Sequence, residues 1–195
     1  MNGLVNRSIQ QFLTHTHGSE TWLAVTRAAN LEITDFEAML SYSDGVTPAL
    51  IEAAASVLDR SRAELLEDFG SFLVLHPSVE AVRRLLRFGG TDFVDFLHSL
   101  DDLADRVRLA LPKLNLPDIE LHPGTDLHFM LVCDGSLPDY GHVMVGALRG
   151  IADDYGVLAL VDHVGAAGGR EMVQIRLIDR DFTQGRHFDL AGRVA

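Results

Sequence analysis

Apolar residues recur every three or four positions through most of the first 112 residues of the chain. This spacing places them on one face of a helix. The clearest case is the segment 99–112, in which Leu100, Leu103 and Val107 share a face. In that segment the aspartates come early and the arginines come late, which is the order that the helix dipole favours. Pro112 is predicted to end the helix. Residues 1–112 are therefore predicted to be almost wholly helical.

Polar residues mark where several of these helices are expected to begin. Ser19 and Thr47 are each followed by an apolar helical pattern and are predicted to be N-caps. Ser61 is followed three residues later by Glu64, which is the spacing of a capping box. Thr91 is predicted to open a short helix that leads into the segment 99–112.

After residue 112 the pattern changes to short apolar runs separated by proline and glycine. A longer amphipathic segment, 138–155, predicts a helix that ends at Gly156. The short runs predict strands, with a hairpin formed by the third and fourth. These runs are 119–121, 127–133, 157–164, 171–178 and a final edge strand at 187–190.

The order of elements predicts an α+β fold. A helical N-terminal part, about residues 1–112, is expected to pack on a C-terminal part, 113–190. The second part would contain a small antiparallel sheet and one long helix. The segment 1–190 is interpreted as a single domain and 191–195 as a tail.

Composition excludes several classes of partner. The 28 acidic and 16 basic residues give a net charge of −12, which opposes binding to nucleic acid. No apolar run approaches the roughly 20 residues that span a bilayer, and the N-terminus is too polar for a signal peptide. The single cysteine, Cys133, fits a reducing compartment. We therefore expect a cytoplasmic protein with no nucleic-acid or membrane partner.

The sequence contains no motif that indicates an enzyme. It has no nucleophile elbow, no P-loop and no glycine fingerprint for dinucleotides. His15 and His17 are two residues apart, so on a helix they point roughly 200° from one another. No third ligand follows at a suitable spacing, and we predict neither catalysis nor a metal site.

Several short motifs, taken in their order along the chain, resemble the heme nitric oxide/oxygen-binding (H-NOX) family. They are the opening MNGLVNRSIQQFL, Gly18 with Trp22, the segment from Phe36 to Thr47, Leu65–Phe69 with Gly70, and Leu103 with Pro112. The resemblance covers about residues 1–190 and implies the family's fold and a heme cofactor. It implies a bacterial gas sensor of nitric oxide or oxygen. Its partner would be a histidine kinase, a diguanylate cyclase or a chemotaxis receptor.

The resemblance also implies which residues line the family's heme site. They are Leu73, Ala104, Pro112, Phe129, Leu131 and Cys133. In the family a histidine that ligates the iron follows the leucine at once, but here Ala104 follows Leu103 and has no lone pair to offer. The family's tyrosine-x-serine-x-arginine strand, which fixes the heme propionates, is matched by Phe129, Leu131 and Cys133. These side chains lack the hydroxyl and the guanidinium.

His98 and His142 are the two candidate substitutes for the missing ligand. On a regular helix, six positions turn His98 about 120° away from the direction of Ala104, which favours a solvated histidine. His142, near the start of its helix, is interpreted as a structural histidine. Cys133 lies on the propionate side and is interpreted as a buried strand cysteine.

Two functional hypotheses follow. The first is a heme-based sensor that binds heme despite Ala104, as the family resemblance implies. The second is a heme-independent adaptor, or a module that binds another apolar molecule, that kept the fold and the partner surface. Replacement of polar heme contacts by Ala104, Phe129 and Leu131 favours the second hypothesis.

Overall fold

The computed structural model describes residues 3–79, 90–111, 114, 116–125, 127–135 and 137–185. Its internal contacts divide the chain into two compact units, Met1–Phe69 and Gly70–Ala195, which are described separately. Pro112 and the predicted strand at 187–190 lie outside the described residues.

The first unit is built from helices, as its sequence pattern predicts. These are α1 (Gly3–His17), α2 (Ser19–Ala28), α3 (Val46–Leu58) and the larger part of α4 (Arg62–Leu75). The core of the unit contains apolar side chains from all four helices, among them Ile9, Phe12, Leu13, Trp22, Val25, Leu50, Leu65 and Leu66. No strand occurs in the described residues of this unit.

The polar side of α1 holds the segment that joins α2 to α3. Gln10 Nε2 donates to Asp35 Oδ1 at 2.9 Å, and Gln10 Oε1 accepts from the amide of Phe36 at 2.9 Å. Arg7 Nη1 donates to the carbonyl of Phe36 at 3.2 Å. Because its backbone is held in this way, the Phe36 ring is fully buried although it lies outside a helix.

Two of the predicted caps in the first unit are wrong. Ser19 and Thr47 both lie inside their helices, and the N-caps are Gly18 and Gly45, which supply no side chain. The Thr47 hydroxyl is buried and donates instead to Asn6 Oδ1 at 2.6 Å. A buried amide needs such a partner, and this tertiary contact outweighs the local preference of threonine for a cap.

The capping box at the start of α4 is confirmed. The amide of Ser61 donates to Glu64 Oε2 at 3.1 Å, and the amide of Glu64 donates to Ser61 Oγ at 3.2 Å. At the next predicted start, Asp92 rather than Thr91 is the cap. Its carboxylate accepts from the amides of Val94 and Asp95.

The second unit contains helices α5 (Phe93–His98), α6 (Leu103–Ala110) and α7 (Tyr140–Tyr155). The single helix predicted from residue 99 onward is wrong in its first turn, because Ser99–Asp102 forms a 3-10 turn. Asp101 Oδ1 in that turn accepts from the amide of Leu121 at 2.6 Å, which ties it to the sheet. The predicted apolar face is confirmed, since Leu100, Leu103 and Val107 are all buried.

Within the described residues, the sheet of the second unit has four antiparallel strands in the order β1-β2-β4-β3. The strands are β1 (Asp118–Pro123), β2 (His128–Asp134), β3 (Leu158–Ala167) and β4 (Arg170–Asp179). The predicted hairpin of β3 and β4 is confirmed, and so is the α+β fold. Alternate residues of each strand point to one face of the sheet, and the buried ones share a core with side chains of α7.

A buried carboxylate fixes the start of α7 on the sheet. Glu171 Oε2 on β4 accepts from the amide of Gly141 at 2.9 Å and lies 3.2 Å from His163 Nε2 on β3. A Cβ at Gly141 would lie 2.7 Å from both Glu171 Oε2 and His163 Cδ2. Only glycine therefore allows this amide to reach the carboxylate.

The buried pair in the first unit gives a prediction. We expect Thr47→Val to lower the free energy of unfolding by about 1–3 kcal/mol, because Asn6 Oδ1 then loses its donor. Asn6 Nδ2 is already buried without a partner among the described residues. Asn6→Leu combined with Thr47→Val should therefore restore much of the loss. Urea unfolding followed by circular dichroism measures both effects.

The matched control is Thr16→Val, whose exposed hydroxyl bonds only the carbonyl of Phe12 in its own helix. It should change the free energy of unfolding by less than about 0.5 kcal/mol. A double variant less stable than Thr47→Val alone would contradict the explanation.

Gly141→Ala is predicted to destabilise the second unit by about 2–3 kcal/mol, through the clash and the loss of the amide–carboxylate bond. Gly45→Ala is the control, because nothing lies within 4 Å of its Cβ position and its φ is −74°. The midpoint of urea unfolding should fall for the first variant only. Equal midpoints would show that α7 starts without this contact.

Candidate functional site

The inner face of β2 carries the three residues that match the family's propionate-fixing strand. Phe129, Leu131 and Cys133 alternate along the strand and are all buried. They belong to one continuous apolar core with Leu103 and Val107 of α6. This stretch of β2 therefore presents a phenyl ring, an isobutyl group and a thiol, with no strong hydrogen-bond donor.

Cys133 remains a thiol at neutral pH. Burial, together with the smaller effect of the Glu171 carboxylate, whose residue pairs with Cys133 across the strands, raises the pKa of Cys133 to about 12. A thiol must lose its proton to bind a metal ion strongly. The environment of Cys133 thus opposes a role as an iron ligand, in agreement with its interpretation as a buried strand cysteine.

Ala104 is half-buried on α6, between the fully buried Leu103 and the exposed Asp105. Leu73 is also half-buried, on α4. Neither side chain belongs to the core that contains Phe129 and Leu131. With Pro112 outside the described residues, the assignment of Leu73, Ala104 and Pro112 to one site stays a prediction.

His98 is exposed at the end of α5, and its ring lies edge-on to Phe129, with 6.1 Å between centroids and 83° between planes. The chain continues from His98 as a 3-10 turn, so the angle calculated for a regular helix between His98 and Ala104 does not apply. The ring of His98 therefore lies against that of a predicted site residue.

His142 belongs to a different group of polar side chains. Its ring centroid lies 4.2 Å from that of His163, and His163 in turn contacts Glu171. Sequence spacing gives no indication of this group, because only the strand register of β3 and β4 brings positions 163 and 171 together. Among the residues that the structure describes, no three histidine, cysteine, aspartate or glutamate side chains could hold a metal ion together.

The residues at the predicted site do not fit a histidine-ligated heme. Ala104, at the position that the resemblance assigns to the ligand, has no lone pair to offer, and the inner face of β2 supplies neither hydroxyl nor guanidinium. Two propionates placed beside Phe129 and Leu131 would be buried anions to which these side chains offer no donor, which is unfavourable. Separately, none of the described helices is both long and apolar enough to cross a bilayer.

The chain is similar to part of several soluble guanylate cyclases. The chain is 23% identical over 164 residues to soluble guanylate cyclase 89Db of Drosophila melanogaster, covering 84% of this chain and 24% of that protein. It is 27% identical over 158 residues to soluble guanylate cyclase gcy-31 of Caenorhabditis elegans, covering 79% of this chain and 22% of that one. The chain thus spans about a quarter of the length of these relatives.

Solved structures share its fold. An H-NOX protein from S. oneidensis in the Fe(II)NO state superposes with a TM-score of 0.76 at 17% identity, over 92% of this chain and all of that one. Unliganded Fe(II) H-NOX from K. algicida gives 0.77 at 15% identity, over 94% of this chain and all of that one. The family model described as Haem-NO-binding (HNOB) matches residues 2–162. The chain therefore belongs to the haem-NO-binding family.

Proposed function

We propose that this chain is a signalling module of the H-NOX type that works without a histidine-ligated heme. The observation that carries the proposal is the lack of an iron ligand and of propionate hydrogen-bond donors among the described residues of the predicted site. α6 has Ala104 immediately after the core residue Leu103, and the inner face of β2 is apolar from Phe129 to Cys133. On β2, the positions that would fix the heme propionates contribute side chains to the core instead.

The packing of β2 favours an adaptor over a module that binds another apolar molecule at this place. Phe129 and Leu131 already contact the buried side chains of the core. An additional apolar guest would have to displace them, at the cost of contacts that a close-packed interior already makes. The module would act in the cytoplasm, without catalysis of its own, on a partner such as a histidine kinase, a diguanylate cyclase or a chemotaxis receptor.

Heme-based sensing of nitric oxide or oxygen is the second candidate. Membership of the family supports it, and His98 supplies an imidazole in contact with Phe129. In that case His98 would carry the iron and the ligand would have moved along the chain. Leu73, Ala104, Pro112, Phe129, Leu131 and Cys133 would still line the site, as the resemblance implies.

Hemin titration separates the two candidates. We expect the apo-protein to bind hemin weakly and below one equivalent, since only apolar burial favours it. Ala104→His should sharpen the Soret band and tighten binding by about tenfold or more, which corresponds to about 1.4 kcal/mol. His98→Ala and Cys133→Ser should leave the wild-type titration unchanged.

Leu109→His is the matched control, because it adds a histidine to the same helix at a position whose side chain is 86% exposed. It should not reproduce the effect of Ala104→His. Tight one-to-one hemin binding by the wild type, lost in His98→Ala, would instead establish a heme sensor with a relocated ligand.

A further inference from the structure

The face of the sheet that points away from α7 carries an exposed apolar patch. Three side chains with relative exposures from 36% to 51% form it, and we refer to Leu158, Leu160 and Ile178 as the outer patch. The neighbouring outward residues Val132 and Met172, which pair directly across β2 and β4, are half-buried. Apolar groups exposed together in this way mark interaction surfaces more often than scattered ones do.

Two opposite charges lie within the outer patch. In the register of β3 and β4, Leu160 pairs with Arg176 and Asp162 pairs with Gln174, so Asp162 and Arg176 are diagonal neighbours on the outward face. Diagonal neighbours are about 7–8 Å apart. Asp162 keeps 67% of its side chain exposed and lies 3.6 Å from Arg149. Arg176 is exposed and has no ion-pair partner in the part of the chain that the structure describes.

We propose that the outer patch binds a second copy of this chain, sheet against sheet, about a two-fold axis. The two-fold axis would lie in the plane of the interface, at the midpoint between Asp162 and Arg176 and perpendicular to the line that joins them. Rotation about this axis exchanges the positions of the two residues. Asp162 of one copy then faces the partner's Arg176, and Arg176 faces the partner's Asp162. The outer patch is thus complementary to itself in charge, as a two-fold interface requires.

A contact between the sheet faces of two copies fits the second unit better than backbone pairing between their edge strands. β3 is an edge strand, and edge strands can in general pair with another copy. Here Arg149 Nη2 donates to the carbonyl of Val161 at 2.7 Å and occupies an acceptor of β3. The register also shifts between His163 and Gly165. Both features oppose strand addition and leave the outward face open.

Sedimentation velocity on the full chain, from micromolar to millimolar concentration, tests the proposal. The wild type should form dimers as the concentration rises. Leu160→Asp should raise the dissociation constant about tenfold or more, because it places a charge in the middle of the outer patch. Met39→Asp is the matched control. Met39 is 80% exposed but lies in the first unit, so this variant should dimerise like the wild type.

Exchanging the charges of Asp162 and Arg176 tests the proposed two-fold axis. Arg176→Asp and Asp162→Arg should each weaken association about fivefold, since each removes two exposed ion pairs per dimer. The variant that carries both substitutions should recover most of the loss, because the pairs form again with their signs reversed. Circular dichroism confirms that each variant is folded.

The outcomes that overturn the proposal are distinct from those that concern heme. A wild type that stays monomeric at every concentration, or a Leu160→Asp variant that dimerises like the wild type, removes the outer patch as an interface. Failure of the double exchange to recover association removes the two-fold arrangement. Neither result depends on hemin, so the proposed function is tested separately.

Discussion

The arrangement of helix and sheet in the second unit depends on one buried carboxylate. Glu171 accepts from the amide of Gly141 at the first turn of α7 and contacts His163 on the adjacent strand. A buried charge is unfavourable unless it is paired and hydrogen-bonded, so both contacts are required once Glu171 faces inward. They fix where α7 begins, and the side chains of α7 then define the core against which β2, β3 and β4 pack.

The inner face of β2 shows how a ligand site and a core compete for the same positions. A propionate-binding strand needs polar groups directed inward, and such groups must be satisfied by a ligand or remain a cost to folding. Phe129, Leu131 and Cys133 remove that requirement, because their side chains are satisfied by contact with other apolar groups. The unit gains a continuous core and loses the chemistry that would recognise a carboxylate. Ala104, at the position that the resemblance assigns to the iron ligand, likewise carries no polar group.

Local patterns in the sequence predicted the elements whose causes are local. The buried face of Leu100, Leu103 and Val107 and the capping box of Ser61 and Glu64 follow from spacing alone. Thr47 was predicted to be a cap because nothing in its neighbourhood reveals that Asn6, 41 positions away, is its partner. The group of His142, His163 and Glu171 depends on strand register and on the docking of α7, and neither can be read from the order of residues.

His98 illustrates the same limit for the candidate site. The expected angle between His98 and Ala104 assumed a continuous helix. In the structure a 3-10 turn separates the two residues, and within that turn Asp101 accepts a hydrogen bond from the amide of Leu121. The relative direction of His98 and Ala104 therefore depends on a turn that the helical spacing of the sequence does not reveal. The absence of an imidazole at Ala104, by contrast, is visible in the sequence alone and does not depend on the structure.

The contact of Arg149 with β3 also has a consequence for the edges of the sheet. At the opposite edge, β1 has only six residues, carries Asp118 and Glu120 pointing outward, and ends at Pro123, which has no amide hydrogen to donate. The guanidinium of Arg149 occupies the edge formed by β3, and acidic side chains and a proline occupy the edge formed by β1. Neither edge is therefore a good template for pairing with a further strand. Both edges of the sheet that the structure describes are thereby protected against the open-ended pairing of chains through their backbones that leads to fibres.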